Sequence, residues 1–371
     1  MYFLMNDIIE KIVKQSPHLS WMRSGVIYLT LYGSKAYGTD TLTSDSDYKG
    51  VAIPTAPYFY GFQNKFEQAE LKEPDTVIYD IRKFFNLASA ANPSIIETLF
   101  TDDKDHLLVS DIGNVLLQNR DRFLSKRVRF TFSGYAVSQL NRIKLHRRYL
   151  LNPPTHFPTR KEFGLPEETL IPADQLMAAE AEIKKELEKY QFDFLGELSE
   201  PMKIMIRNSM SDILTDLKIS KDDQWLAASR KVGFNDNFIE FMKKERSYKN
   251  LKTEWDNYQT WKKNRNAKRA ADEAKFGIDL KHAYHLVRLM RMCREILTTG
   301  KVIVKRPDRK ELLAIRNGAW TYDQIVEFAE REDKDLQVIY ETSNLLPKMP
   351  DIKFLDNLCV ELVERRLCDV Y

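Results

Sequence analysis

The sequence predicts an α+β (mixed α/β) protein, a small mixed sheet with helices on one face, followed by a mainly α-helical C-terminal domain. Three observations carry this. Short β-branched and aromatic runs are confined to the N-terminal part, helical patterns dominate beyond residue 111, and 371 residues suffice for two domains. The expected boundary gives a sheet-bearing domain over 1–110 and a helical one over 111–371.

Residues 6–14 place Ile8, Ile9, Ile12 and Val13 at helical spacing behind Asn6 or Asp7 as a cap. Gly25-Val26-Ile27-Tyr28-Leu29-Thr30-Leu31-Tyr32 reads as a buried strand ending in a Gly33-Ser34 turn. A polar loop over 37–44 leads into a second strand from Tyr48 to Ile53, stopped by Pro54. Residues 54–74 read as irregular. Thr76-Val77-Ile78-Tyr79-Asp80-Ile81 is a third strand, running into a helix through Phe84, Phe85, Leu87 and Ala88. Ser94-Ile95-Ile96-Glu97 has a capping-box pattern, which is the simplest account of Glu97. Farther on, the proline-marked stretch 152–166 is a long loop, and 174–190 and 240–275 are charged helices. A strong helix over 279–298 ends at Gly300, which can take a left-handed cap. Lys301-Val302-Ile303-Val304 reads as a short strand or an extended arm.

Composition narrows the function classes. Hydrophobic content of 43% and charged content of 30% are ordinary for a soluble globular chain. No apolar stretch approaches the roughly 18 residues of a membrane helix, so no membrane association is expected. The start Met1-Tyr2-Phe3-Leu4-Met5-Asn6-Asp7 lacks the pattern of a signal peptide. Cys293, Cys359 and Cys368 form no CxxC pair, so neither a disulfide framework nor a structural zinc site is expected, and a reducing cytoplasm is the default. The net charge of +3 is unevenly spread, about −4 over 1–110 and about +7 over the remainder. An acidic half joined to a basic half suits a metal site beside a polyanion-binding surface.

The chemistry concentrates in Leu31-Tyr32-Gly33-Ser34-Lys35-Ala36-Tyr37-Gly38 and Ser44-Asp45-Ser46-Asp47-Tyr48. A glycine at a strand end lets backbone approach a phosphate, Ser34 adds a hydroxyl, and the amides of a following helix start can bind a triphosphate. Asp45 and Asp47, one residue apart on an extended segment, point to the same face. Two such carboxylates repel unless a cation sits between them, and Mg²⁺ suits a few carboxylate oxygens with substrate phosphates and water. A third carboxylate is needed for a second ion. Asp80, at the end of the third strand, is the first choice, ahead of Glu73 and Asp75 in the polar lead-in.

Taken together, the strand, Gly-Ser, spacer and Asp-x-Asp resemble the nucleotidyltransferase superfamily of DNA polymerase β. The flanking residues Thr39 and Lys49-Gly50-Val51, with Arg82-Lys83-Phe84 and Asn92-Pro93-Ser94-Ile95-Ile96-Glu97, are similar to nucleotidyltransferases associated with RNA repair and RNA ligase in bacteria and phages. The resemblance covers residues 25–100 and, more loosely, 276–325. It implies a polymerase-β-like sheet in a catalytic domain over 1–110 and a substrate- and nucleotide-binding domain over 111–371. Asp45, Asp47 and Asp80 would hold two Mg²⁺ ions, with Mn²⁺ as a substitute. Gly33 and Ser34 would contact the nucleotide phosphates, with Lys35 and Ser44 beside them. The polar Ser46 departs from the apolar residue more usual between the aspartates, and implies a solvent-facing strand start. The implied reaction moves an NMP from an NTP to a hydroxyl, with an RNA end as the favoured acceptor, a tRNA 3′ end among them. The implied setting is the cytoplasm of a bacterial or phage-infected cell. Nucleotidylation of a protein or small molecule, as in toxin–antitoxin or antibiotic-modifying relatives, stays open as an alternative. So does a catalytically silent nucleotide- or RNA-binding module, against which the intact motifs argue.

Lys281, His285 and Arg288 lie at i, i+4 and i+7 on one helix face and can form a cationic lid over the triphosphate or acceptor backbone. The bland reading is a solvated helix face. His282 and His285 have no cysteine or metalloprotease-spaced glutamate near them, so zinc is not expected there. Arg142, Lys144, His146, Arg147 and Arg148 with Tyr149 form a basic–aromatic segment, and Lys262, Lys263, Arg265, Lys268 and Arg269 with Tyr258 and Trp261 form another. Either is a solvated face or a nucleic-acid contact.

Overall fold

A computed structural model of the chain describes residues 2–42, 44–169, 172–192 and 229–368. Five strands form one mixed sheet in the order β3-β4-β2-β1-β5. They are β1 (Val26–Tyr32), β2 (Asp47–Ala52), β3 (Gln68–Lys72), β4 (Asp75–Asp80) and β5 (His106–Val109). β1 runs antiparallel to both β2 and β5, and β3 antiparallel to β4. The β2–β4 pair is parallel, with Tyr48 level with Thr76 and Ala52 level with Asp80.

Period-two alternation sorts the strands onto two cores. On one face Tyr48, Ala52 and Ile78 pack with Ile8, Ile9 and Ile12 of the Tyr2–Gln15 helix. On the other, Ile27, Val51 and Ile53 meet Phe84, Ile96, Phe132, Leu286 and Leu362, drawn from helices along the rest of the chain. The fold is therefore α+β, as expected, with the second face covered by the N-terminal helix.

Compactness divides the chain into two units, Met1–Arg147 with Lys268–Tyr371, and Arg148–Ala267. The first unit's core joins sheet residues to helices on both sides of residue 110, so the compact unit is not cut at that position. The second unit holds the Asp236–Asn264 helix and a small core of Ala179, Ile183, Ile239 and Met242. There Arg160 is paired with the buried Glu245, and Tyr149, Tyr258 and Trp261 stack together.

Two strands were hidden in the sequence. β3 lies in the stretch read as irregular, because Gln68-Ala69-Glu70-Leu71-Lys72 is a charged edge strand showing only Ala69 and Leu71 inward. β5 is four residues long and only half-buried. One other local reading needs correction, and one is decided between its two alternatives. Asn92, not Ser94, caps the Pro93–Leu99 helix, accepting from the Ser94 amide at 3.0 Å. Lys301–Val304 is an arm without strand pairing, with Val304 buried against Ala36 and Tyr37 and the Arg306 amide donating to the Tyr37 carbonyl at 2.9 Å. Gly300 does take the left-handed cap, at φ 69°. Among the described residues no helix is long and apolar enough to cross a membrane.

Candidate active site

β1 delivers its terminal Tyr32 opposite Asp47, the first residue of β2. The chain then turns through Gly33 at φ +71° into the short Gly33–Tyr37 helix. Only glycine suits this corner. Its φ lies in the left-handed region, and a Cβ there would collide with the Asp47 carboxylate. The spacing of Gly33 and the Asp-x-Asp segment in sequence thus becomes direct apposition in space.

Asp47 is half-buried, while Asp45, just before the strand, is exposed. Because β2 and β4 are parallel and Tyr48 is level with Thr76, the strands begin side by side, at Asp47 and Asp75. Asp47, Lys49 and Val51 alternate onto one face, and Val51 shows that it is the helix-rich face. The Asp47 pKa is raised, by burial first, then by the like charge of Asp75 and, more weakly, of Asp45, with Lys281 and Lys49 pulling the other way. Three carboxylates therefore converge at the start of two parallel strands.

The third of them is Asp75, and Asp80 is corrected out of the cluster. Asp80 lies at the opposite end of β4, level with Ala52. It is 2% exposed and fully employed. One oxygen accepts from the Arg82 amide at 2.8 Å and so caps the Ile81–Ser89 helix, and the Arg82 guanidinium donates to both oxygens at 2.9 Å. An antiparallel β2–β4 pair would have put the end of β4 beside Asp47. Sequence patterns do not report strand direction.

Arg288 is corrected as well. Its guanidinium is 4% exposed and ion-paired with Glu97, itself 1% exposed, and it stacks on the Tyr37 ring at 4.0 Å. Tyr32 and Tyr37 donate their hydroxyls to the same Glu97 carboxylate at 2.8 and 2.5 Å. Arg288 spends Nη1 on Glu97 and lies in the interior rather than on a solvent-facing side of the helix, with its Nε lacking a hydrogen-bond partner. The buried network also gives Glu97 a role other than capping: it braces the β1 end and the Gly33–Tyr37 helix against the Leu280–Thr299 helix.

Lys281, in the first turn of that helix, is exposed and close enough to Asp47 for each to affect the other's titration. Burial and then the like charges of Arg269 and Arg316 lower its pKa. His285 is half-buried, with its ring 4.9 Å from that of Tyr284. Burial, with Arg288 and Lys281 next, holds its pKa well below the usual range, and the imidazole is neutral near pH 7. The neighbouring His282 is pushed down to about 4, by burial first and then by His146 and Arg142, against the pull of Asp279.

The remaining expected residues divide. Lys35 donates from Nζ to the Ser46 hydroxyl at 2.5 Å, which holds it over the Asp-x-Asp segment and gives the polar Ser46 a partner. Ser34 is half-buried at the helix start. Ser44 is turned to local use: its Oγ accepts from the Thr41 amide at 2.9 Å, closing the loop. Lys49 was missed. It sits two residues beyond Asp47, hydrogen-bonds Ser94, lies 4.0 Å from the Tyr32 ring centre, and has its pKa pushed down to about 8 by burial. The period of the strand was the available signal, since residues 45, 47 and 49 share a face.

The basic segments are partly committed within the fold. Arg147 donates to the Gly277 carbonyl at 3.2 Å and stacks on Tyr322 at 4.3 Å. In the other unit Arg148 pairs with Glu254 at 2.8 Å, and Arg265 lies over Trp261 at 4.2 Å. Lys262 and Lys263 are exposed.

Residues 4–151 match the family model described as RlaP, the RNA repair pathway DNA polymerase beta family. The matched stretch supports a polymerase-β-type nucleotidyltransferase associated with RNA repair, and it holds the whole sheet and all three clustered carboxylates. No curated protein and no solved structure matches the chain.

Proposed function

We propose that this chain is a divalent-metal-dependent nucleotidyltransferase that moves an NMP from an NTP to a hydroxyl of an RNA end, releasing pyrophosphate. The observation that carries the reading is the convergence of Asp45, Asp47 and Asp75 beside Gly33, with Lys281 facing them. The donor set suits the metal: oxygen ligands only, with the half-buried Asp47 level with Asp75 at the start of parallel strands. Asp45, Asp47 and Asp75 would hold the Mg²⁺ ions, with Mn²⁺ able to substitute. Bound there, the metal supplies charge stabilisation for the entering and leaving oxygens of an in-line displacement.

The chain's own residues do the rest. Gly33 and Ser34 bring backbone amides and a hydroxyl to the triphosphate. Lys35 and Lys281 add point charges along it. Neutral His285 offers a hydrogen bond without adding charge, and Asp75 favours loss of the acceptor proton. In such transfers positioning and electrostatics account for most of the rate, so few further catalytic side chains are needed. Residues 1–110 supply the carboxylates in this reading, and the helical remainder contributes Lys281 to nucleotide and acceptor binding. The cytoplasm of a bacterial or phage-infected cell is the compartment we assign.

The test is incubation with each labelled NTP, Mg²⁺ and a pool of RNA. Label on RNA, abolished by Asp75→Asn, is the expected result. Label on protein or a small molecule would replace the acceptor, and nucleotide binding without transfer would sink the enzyme reading.

A further inference from the structure

Away from the carboxylate cluster, a second group of side chains converges within the first compact unit. His146 comes from the Val128–Leu151 helix, and Asp279 and His282 from the start of the Leu280–Thr299 helix. One ligand atom from each of the three lies within 4.8 Å of the other two. The imidazoles are 5.6 Å apart, and their side chains are only 16% and 13% exposed.

The hydrogen bonds around the cluster orient the two rings. His146 Nδ1 lies 3.2 Å from Glu273 Oε1, and His282 Nδ1 lies 2.6 Å from Gln139 Oε1. An acceptor oxygen opposite His282 Nδ1 keeps the proton there and leaves its Nε2 to face Asp279, while His146 Nδ1 is oriented by Glu273. Asp279 spends one oxygen on the His282 amide at 3.0 Å, and its other oxygen lies 3.6 Å from His282 Nε2. That separation is too long for a hydrogen bond, and two lone pairs face each other across it. It matches the spacing of two ligands on one ion, since bonds of about 2.0–2.2 Å in a tetrahedral shell put ligand atoms roughly 3.3–3.6 Å apart.

We propose that His146, Asp279 and His282 form a binding site for one transition-metal ion of the Zn²⁺ class. Two imidazole nitrogens and a carboxylate oxygen are a borderline donor set that selects zinc over Mg²⁺. Glu273 and Gln139 are the outer partners that orient the two rings, and the ligand Asp279, 2% exposed, brings a negative charge to the ion. The fourth position is open to water. The ion would pin the first turn of the Leu280–Thr299 helix, and with it Lys281, next in sequence to His282. Local spacing hid this site, because the partner of His282 is His146 rather than His285.

The experiment strips the full-length protein with a chelator and titrates Zn²⁺ against a chromophoric competitor in excess Mg²⁺. One equivalent should be retained, with affinity lowered more than about 100-fold by His146→Ala or His282→Ala and about 10-fold by Glu273→Gln. Asp45→Asn with Asp47→Asn should leave zinc binding unchanged, which separates this site from the proposed Mg²⁺ site. Wild-type protein loaded with Co²⁺ should show the intense visible bands of a four- or five-coordinate ion, a readout that needs no variant to fold. Failure of the wild type to retain zinc, unchanged affinity in the histidine variants, or a weak six-coordinate Co²⁺ spectrum would each overturn the proposal.

Discussion

The two ends of the β2–β4 pair hold carboxylates under opposite conditions. At the start of the strands Asp47 is half-buried beside Asp75 and Asp45, and burial first, then the like charge of Asp75, raises its pKa. At the far end Asp80 is more deeply buried, yet it has an amide and both arms of a guanidinium to itself. The lesson is about satisfaction rather than burial. A buried carboxylate with its donors in place holds the fold together. Carboxylates held against each other are a charge the fold has left for something else to neutralise.

Exchanging the two ends by mutation is the strongest way to break this comparison. Asp75→Asn should lower turnover at least about 1000-fold, the several kcal/mol expected of a metal site at ~1.4 kcal/mol per decade, with stability little changed. Asp80→Asn should do the reverse, leaving kcat near wild type and costing about 1–3 kcal/mol in a denaturant melt through the lost cap and ion pair. Loss of turnover in Asp80→Asn with wild-type activity in Asp75→Asn would reverse the assignment of the two ends.

That reversal is also where the sequence stopped being legible. Gly33, Ser34 and the Asp-x-Asp pair were readable because their chemistry is local: a strand, a tight turn and two residues on one face. The three longer strands were readable from their β-branched runs. The third carboxylate depends on whether β4 runs with or against β2, which tertiary pairing decides, and so Asp80 stood ahead of Asp75. Arg288 failed for a related reason. Helical periodicity put it on a face with Lys281, but which turn of that face meets solvent depends on Glu97, 191 residues away in sequence.

The Leu280–Thr299 helix offers a second contrast, between its first turn and its third. Arg288→Met would leave Glu97 charged and buried without its cation, a loss of about 3–5 kcal/mol in stability. Lys281→Ala should change stability by less than about 0.5 kcal/mol, as exposed positions usually do. Its effect should appear in binding instead, as a weaker NTP or RNA affinity and a salt slope reduced by about one unit if one phosphate contact is lost. Titrations of both variants across a salt series, beside their denaturant melts, separate the roles. Wild-type binding curves for Lys281→Ala would leave the whole helix with a packing role.

The smallest expected effect is the most direct reading of the crowded end. A carboxylate whose folded pKa is raised holds its proton more tightly folded than unfolded. Its contribution to stability is then present at low pH and lost as pH rises through the folded value. At neutral pH the metal-free protein carries the penalty of an ionised Asp47 that is half-buried and lies beside Asp75 and Asp45. Asp47→Asn should therefore raise the Tm of metal-free protein at pH 7, by about 1–2 °C for a chain of this size. The gain should shrink as pH falls through the carboxylate range, where wild-type Asp47 is protonated in both states. Added Mg²⁺ should invert the order, since binding to the folded state stabilises the wild type and finds one ligand fewer in the variant. Asp80→Asn should show neither the gain nor the inversion. If Asp47→Asn instead lowers the metal-free Tm at pH 7, Asp47 already has an internal partner and the two ends of the ribbon are alike.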